Sequence, residues 1–344
     1  MTIKAPYLLF LGEENSPLAI KMSRGIAEWR PECCVGEIAG PDCELTLGLN
    51  RLSIEEAREA GAKTFILGLA NSGGIISESW FPYIIKALEN GMDVASGMHQ
   101  KLSRIPQIRE AAHKAGRHLH DVRHFKGELF TGKGHKRPGK RLLTVGTDCS
   151  VGKMYTALSI EKEMKKQGYN AEFKATGQSG IMVAGSGICI DAVIADFIAG
   201  AVEQLCPENT PDHWDIIEGQ GSLFNPSFAG VSTGLLHGAQ PDLVVMCHEA
   251  GRQTIKDLPH YTVPDLGRCI EENLRVAGLT NPQVKLAGIS LNCRVIGKEK
   301  GLEEMARLEK EFSVPCFDPM INGAASFVAH LSKIEEIKNK GISV

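Results

Sequence analysis

Residues 142–156, LLTVGTDCSVGKMYT, put an apolar run, a glycine-bearing loop and a Gly-Lys pair in the order that binds phosphate. Such a loop turns its amides inward, the helix that follows adds partial positive charge at its N-terminus, and the lysine supplies a mobile cation. The candidate cradle is Gly146, Thr147, Asp148, Cys149, Ser150, Val151, Gly152, Lys153 and Met154. Two positions depart from G-x-x-x-x-G-K-[S/T]. Thr147 stands where the first glycine would be, and Met154 replaces the hydroxyl that normally holds magnesium. The pattern predicts a phosphate site with a weakened claim to magnesium-nucleotide chemistry. Residues 134–140, GHKRPGK, satisfy the pattern letter for letter, but they precede a strand and Pro138 has no amide to donate. They read as a basic linker.

Further polar clusters fall at the ends of apolar runs. Lys174, Thr176, Gln178 and Ser179 lie in FKATGQSG, where the lysine suits an anion and the small polar groups suit hydrogen bonding. Glu218, Gln220 and Ser222 lie in WDIIEGQGS, with Glu218 where phosphate-loop proteins place a carboxylate facing a metal or an attacking group. In CIDAVIADFIAG, Asp191 suits a helix N-cap. Asp196 interrupts an apolar helical run, as a buried functional group or as part of a polar stripe with Glu203. His237 and Arg252 can approach the same edge, and Asn292 follows a strand at a position suited to base recognition or to a turn. Cys149 could gain thiolate character in the loop, but no nucleophile signature surrounds it. His118, His120 and His124 lack a matching set of ligands elsewhere, so no metal site is expected.

These residues need a scaffold that gathers strand ends, and the chain alternates strand-like and helix-like segments. Strands are predicted at 7–12, 63–69, 93–96 and 118–122, with helices at 17–29, 79–90 and 105–115. They form an α/β domain over 1–125. The Gly-Gly at 73–74 reads as a tight turn. A Gly- and Lys-rich linker covers 126–140. A second domain, 141–344, carries strands at 141–145, 170–175, 214–218, 242–247, 285–292 and 314–317, with a closing helix at 323–338. Continuous apolar strands separated by helices imply a parallel sheet covered on both faces.

Composition narrows the classes. The 344 residues are 43% hydrophobic and 23% charged with a net charge of -3, which suits a soluble globular enzyme or binding protein and offers no footprint for nucleic acid. No apolar run is long enough to cross a bilayer, and the N-terminus does not read as a secretion signal. Ten cysteines without a C-x-x-C pair fit free thiols in a reducing cytoplasm.

GTDCSVGK, FKATGQSG and IIEGQGS resemble, in order and spacing, the phosphate-loop segments of dethiobiotin-synthetase-like proteins. With ATGQSGIMVAGSGICIDAVIADFIAGA and IEGQGSL, nearly the whole chain resembles the DgcN-type D-glutamate N-acetyltransferase family, long catalogued as a domain of unknown function. That resemblance implies a Rossmann-like α/β domain followed by a P-loop NTPase-like parallel-sheet domain. It also implies acetyl-CoA as cofactor, a small acidic amino acid, D-glutamate, as acceptor, and a cytoplasmic homo-oligomer. Under it, Glu218 first, and Asp196 or Asp191 second, would take the ammonium proton. Lys174 or Arg252 would hold a carboxylate, beside Thr176, Gln178, Ser179, Gln220, Ser222 and His237. The alternatives are an ATP- and magnesium-dependent ligase or kinase, with Thr147, Thr156 or Glu218 serving the metal, and a non-catalytic nucleotide- or CoA-binding protein.

Overall fold

The computed structural model describes residues 2–13, 15–17, 19–69, 71 and 73–339. Two compact units result. The first runs to Gly127 and takes in Gly177–Ala192; the second holds Glu128–Thr176 and the described chain from Val193 onward.

In the first unit, β1 (Tyr7–Phe10), β2 (Cys34–Ile38), β3 (Thr64–Leu67), β4 (Asp93–Ser96) and β5 (Leu119–Asp121) form a parallel sheet ordered β2-β1-β3-β4-β5. Helices α1 (Lys21–Trp29), α2 (Ile54–Glu59), α3 (Phe81–Glu89) and α4 (Pro106–Ala115) link the strands. Phe10, Phe65, Trp80, Ile84, Leu88 and Val94 share one core. β1, β3 and β4 are buried at every position, β1 and β3 on apolar runs and β4 (DVAS) with Asp93 and Ser96 accepting the His118 and Met98 amides. The predicted strands appear, that at 93–96 with the same bounds and the others shortened, and β2 and α2 are additions. Gly36 hides β2 from a pattern reading, because a Cβ there would lie 2.5 Å from Asn50 O and 2.7 Å from Leu52. The predicted first helix starts only at Lys21, and Leu18 lies outside the described residues. So do Ala70 and Ser72 of the turn at 70–74, where Gly73 and Gly74 both have positive φ.

The second unit starts with β6 (Lys140–Gly146), α5 (Lys153–Lys166) and β7 (Ala171–Lys174). Its chain leaves at α6 (Gln178–Ala184), which packs against α1 in the first unit. The expected continuous domain over 141–344 is therefore interrupted at 177–192. After α7 (Ile198–Leu205) come β8 (Trp214–Ile217), α8 (Ala229–Ala239) and β9 (Leu243–Glu249). An antiparallel hairpin follows, β10 (Thr254–Ile255) with β11 (Leu258–Thr262), which the sequence reading did not foresee. Then α9 (Leu266–Gly278), β12 (Lys285–Asn292), α10 (Lys298–Phe312), β13 (Cys316–Phe317) and α11 (Ala325–Asn339) complete the unit. The six strands of its main sheet are all parallel, in the order β13-β12-β9-β6-β8-β7.

That order fixes where a ligand can go. The connection from β6 leads to one side of the sheet, toward β7, and the connection from β9 leads to the other, toward β12. The C-terminal ends of these neighbouring strands thus flank a switch point, the place where open α/β sheets bind ligands. Among the described residues, no helix is long and apolar enough to cross a membrane.

Residues 128–140 are not a loose linker. Arg137 donates from Nη2 to Gly238 O at 2.7 Å, and Lys136 meets Asp242 at 2.7 Å. Gly200, one turn into this packing, has no room for a side chain: a Cβ would lie 1.7 Å from Phe130 O. Gly200→Ala should destabilise the protein by about 1–3 kcal/mol through overpacking. Gly230→Ala, in α8 with nothing within 4 Å of the added carbon, should leave the unfolding midpoint unchanged or raise it slightly. Thermal unfolding of the pair checks both.

Candidate functional site

The loop between β6 and α5 is shaped by backbone conformation first. Gly152 caps α5 at φ +105, with no side-chain cap, and Ser150 adopts φ +58. The first intrahelical bond runs from Thr156 N–H to Gly152 O at 2.9 Å. The amides of residues 152–154 are therefore donors that a helix start leaves to other partners. Lys153 is 7% exposed, and its Nζ donates to Asp148 O at 2.8 Å. No other acceptor among the described residues hydrogen-bonds it, although an ammonium carries three donors. Burial pulls Lys153 below the ordinary lysine value, against the opposing pull of Cys149, Cys247, Asp148 and Glu218. An anion at this loop would meet both the helix amides and the spare lysine donors.

Asp148 faces inward. Its carboxylate accepts from Asn225 Nδ2 at 3.1 Å, Arg252 Nη1 at 2.8 Å and the Lys256 amide at 2.6 Å. Burial by itself would raise this carboxyl, but the Lys256 amide, Asn225, the Cys149 amide and Arg252 outweigh it and hold it below the usual range. Arg252 is largely consumed by this role. Nη1 also donates to Cys149 O at 2.8 Å, Nε donates to Glu249 at 2.6 Å, and Nη2 pairs with the same carboxylate. The structure places Arg252 as a brace for the loop, where the sequence suggested a hand for a substrate carboxylate.

The hydroxyls that might have served a metal are engaged too. Thr147 Oγ1 bonds His248 Nδ1 at 3.0 Å, and Thr156 Oγ1 meets Gly152 O at 3.1 Å and Ser290 Oγ at 2.7 Å. Burial, reinforced by Arg252, holds His248 below the ordinary imidazole value. Ser222 Oγ donates to Thr147 O at 3.0 Å and so clamps the loop from the segment after β8. Cys149 does not gain thiolate character: burial raises it, outweighing Lys153 and the other nearby cations. Met154, half-buried at the first turn of α5, offers no oxygen.

Glu218, 4% exposed, follows β8. Thr176 clamps it twice, through its amide to Glu218 Oε2 at 2.9 Å and its hydroxyl to Glu218 O at 2.6 Å. Gln220 Nε2 donates to Thr176 Oγ1 at 3.1 Å. Gly219 permits this approach, since a Cβ there would sit 1.7 Å from Thr144 O and 2.9 Å from Lys153 Cδ. Glu218 and Lys153 thus share one neighbourhood at the C-terminal edge of the sheet. Asn292 ends β12 on that edge, where its Oδ1 accepts the Arg294 amide at 3.2 Å, a turn role.

Several other predicted site residues have partners of their own. Lys174 shares a sheet face with Glu172 and Asp215, pairing with them at 2.7 and 3.5 Å. His213, Glu172 and Asp215 converge there as metal ligands would, but this lysine already supplies the positive charge. Gln178, Ser179 and Asp191 belong to the first unit, where Arg123 reaches Gln178 at 3.0 Å and Asp191 at 2.9 Å. Asp191 lies in a 3-10 turn (Ile190–Ala192) and caps no α-helix. Asp196 is exposed on a second 3-10 turn ahead of α7, so it is neither buried nor inside a helix. His237 occupies the last turn of α8, which runs back toward the opposite edge of the sheet, and its Nε2 is buried without a hydrogen-bond partner. In the first unit, the rings of His118 and His120 lie 6.2 Å apart along a cavity of about 470 Å³ that Arg109, Arg117 and Lys126 also line. Asn225, His248 and Lys256 were missed. Each is recruited across a long stretch of chain, with no local motif to mark it.

The chain was compared with known proteins. The family model for the C-terminal P-loop domain of DUF1611, a domain of unknown function, matches residues 128–328. The Rossmann-like N-terminal model of the same family matches residues 34–125. A D-glutamate N-acetyltransferase from a Pseudoalteromonas species is 53% identical over 331 residues, 96% of this chain and all of the relative. Another from Tritonibacter scottomollicae is 46% identical over 332 residues with the same coverage. A crystal structure of a DUF1611 family protein from Anabaena variabilis superposes with a TM-score of 0.83 at 30% identity, covering 96% of this chain and 100% of that one.

The Asp148 brace has a pH signature. Its folded-state pKa is depressed, so its stabilisation is complete above the unfolded value of about 3.9 and is lost as pH falls through the folded value. Asp148→Asn should cost about 2 kcal/mol at pH 7, the worth of a charge-assisted hydrogen bond. The gap to wild type should close as pH falls below the ordinary aspartate range. Denaturant unfolding of both proteins at neutral and acid pH measures it.

Proposed function

The chain belongs to the DUF1611 family, and from that membership and the loop geometry we propose that it transfers an acetyl group from acetyl-CoA to the amine of D-glutamate. The two D-glutamate N-acetyltransferases that match over nearly its whole length supply the reaction. The observation that carries the donor is the buried Lys153 ammonium with a single protein acceptor, set against the amides of a helix start. Coenzyme A presents a pyrophosphate and a ribose phosphate, so such a loop can hold it without catalysing phosphoryl transfer. The engaged hydroxyls of Thr147 and Thr156, with Met154 between them, disfavour the magnesium-nucleotide alternative.

Acetyl-CoA, when bound, supplies an activated acyl carbon. The protein's part begins with the acceptor, whose amine is an ammonium near neutral pH and must lose a proton before its lone pair can attack. Glu218 is the base we assign. Its carboxylate is held by the Thr176 amide at the edge that carries the loop, in the neighbourhood of Lys153. One proton passes to Glu218, the new C–N bond forms as the C–S bond breaks, and the second proton that the nitrogen sheds goes to the departing thiolate. Amides of the glycine turns, not those of the loop that holds the phosphates, are suited to the charge that develops on the carbonyl oxygen. Asp191, Asp196, Lys174 and Arg252 are given no role in the proton transfer or in holding the acceptor.

Incubation with acetyl-CoA and D-glutamate should yield N-acetyl-D-glutamate and CoA by mass spectrometry, with L-glutamate giving none. Failure to form it, with magnesium ATP hydrolysed in its place, would overturn the reading. Glu218→Gln should lower kcat by about 10²–10⁴ at similar KM, the usual range for general-base loss. An unchanged kcat would remove Glu218 from the role.

A further inference from the structure

Coenzyme A carries more phosphate than the buried part of the loop can neutralise. Its pyrophosphate and ribose monoester each bring roughly two negative charges at neutral pH, against one lysine and a helix start. Three cations touch the loop: Lys153, Arg252 and Lys256. Arg252 is balanced by Asp148 and Glu249. Among the described residues, no carboxylate pairs with Lys256, whose Nζ donates to Ser150 Oγ.

The two-residue turn Lys256-Asp257 joins β10 to β11, with Ile255 opposite Leu258 and Asp257 at φ +62. It follows β9, so the hairpin issues from the switch point itself. The turn is moored to the loop by its backbone, through the Lys256 amide and the buried Asp148 carboxylate at 2.6 Å. Its side chain is exposed and reaches across the loop to Ser150 Oγ at 3.2 Å. One long, neutral-acceptor contact from a flexible lysine adds little to stability, whereas a phosphate oxygen would give a shorter, charge-assisted bond. The backbone places this ammonium at the loop whatever the side chain does.

We propose that Lys256 is a donor-binding residue: carried to the phosphate loop by the β10–β11 turn, its ammonium takes a phosphate of the acyl donor that Lys153 leaves unneutralised. It thereby selects phosphate-bearing acyl-CoA over short acyl thioesters. This rests on the loop being the donor site, so the test must separate the two.

Steady-state kinetics with acetyl-CoA and with phosphate-free acetyl-pantetheine do so. Lys256→Ala keeps the backbone amide that moors the turn, so the fold should survive. It should raise the KM for acetyl-CoA by about tenfold, the effect of losing roughly 1.4 kcal/mol of binding. The KM for D-glutamate and kcat/KM for acetyl-pantetheine should stay at wild-type values, and Lys256→Arg should restore most of the loss. An equal penalty on both donors, or none on acetyl-CoA, overturns the proposal. If Lys153→Ala raises the KM for acetyl-CoA while Lys256→Ala does not, the loop reading stands and only the role of Lys256 falls. If neither variant changes it, both fall.

Discussion

A single carboxylate with no exposed surface organises the functional edge of the second unit. Burying a charge is costly unless it is hydrogen-bonded and paired, and Asp148 meets that demand by drawing in Asn225, Arg252 and the Lys256 amide. Those partners come from the segment after β8 and from the chain after β9. One side chain thus ties the loop, the β8 exit and the hairpin into a rigid frame. Lys153, Glu218 and the helix-start amides keep their positions because the frame does.

The departures from a nucleotide-binding loop follow a consistent logic. Thr147 and Thr156 carry the hydroxyls nearest to the missing one, and both are turned into structural ties, to His248 and to Ser290. The loop retains what any phosphate needs, namely amides, a helix start and a lysine, and has lost the oxygen that magnesium needs. Acyl transfer from a phosphate-bearing coenzyme asks for that combination: grip on the phosphates, and a carboxylate close by for the acceptor proton. Fold alone does not fix such chemistry; the arrangement at this edge is what supports it.

Much of this was legible in the residues. The strands at 64–67, 93–96, 214–217 and 285–292 sit where they were expected, because strands covered on both faces are predominantly apolar even where a buried Asp93, Ser96 or Asp215 interrupts the run. The loop was legible because its conformation needs Gly152. What escaped was pairing over long sequence distances. Lys174 read as a site residue from its place at a strand end, yet the two-residue period of a strand puts it beside Glu172, and the neighbouring β8 adds Asp215. Arg252 read as a substrate ligand because its partners, Asp148 and the loop carbonyl of Cys149, lie about a hundred residues away. Asp196 read either as a buried functional charge or as part of an exposed polar stripe on a helix; it is exposed, but on a 3-10 turn that leaves no local mark. The excursion of 177–192 into the first unit depends on α6 meeting α1, which no periodicity announces.

The central claim is that this loop binds the phosphates of coenzyme A without magnesium. Titration calorimetry of CoA and of ATP, each in EDTA and in magnesium, addresses it directly. CoA should bind with the same affinity in both buffers, and ATP should gain nothing from the metal. Binding of ATP that appears only with magnesium, together with no heat from CoA, would contradict the account.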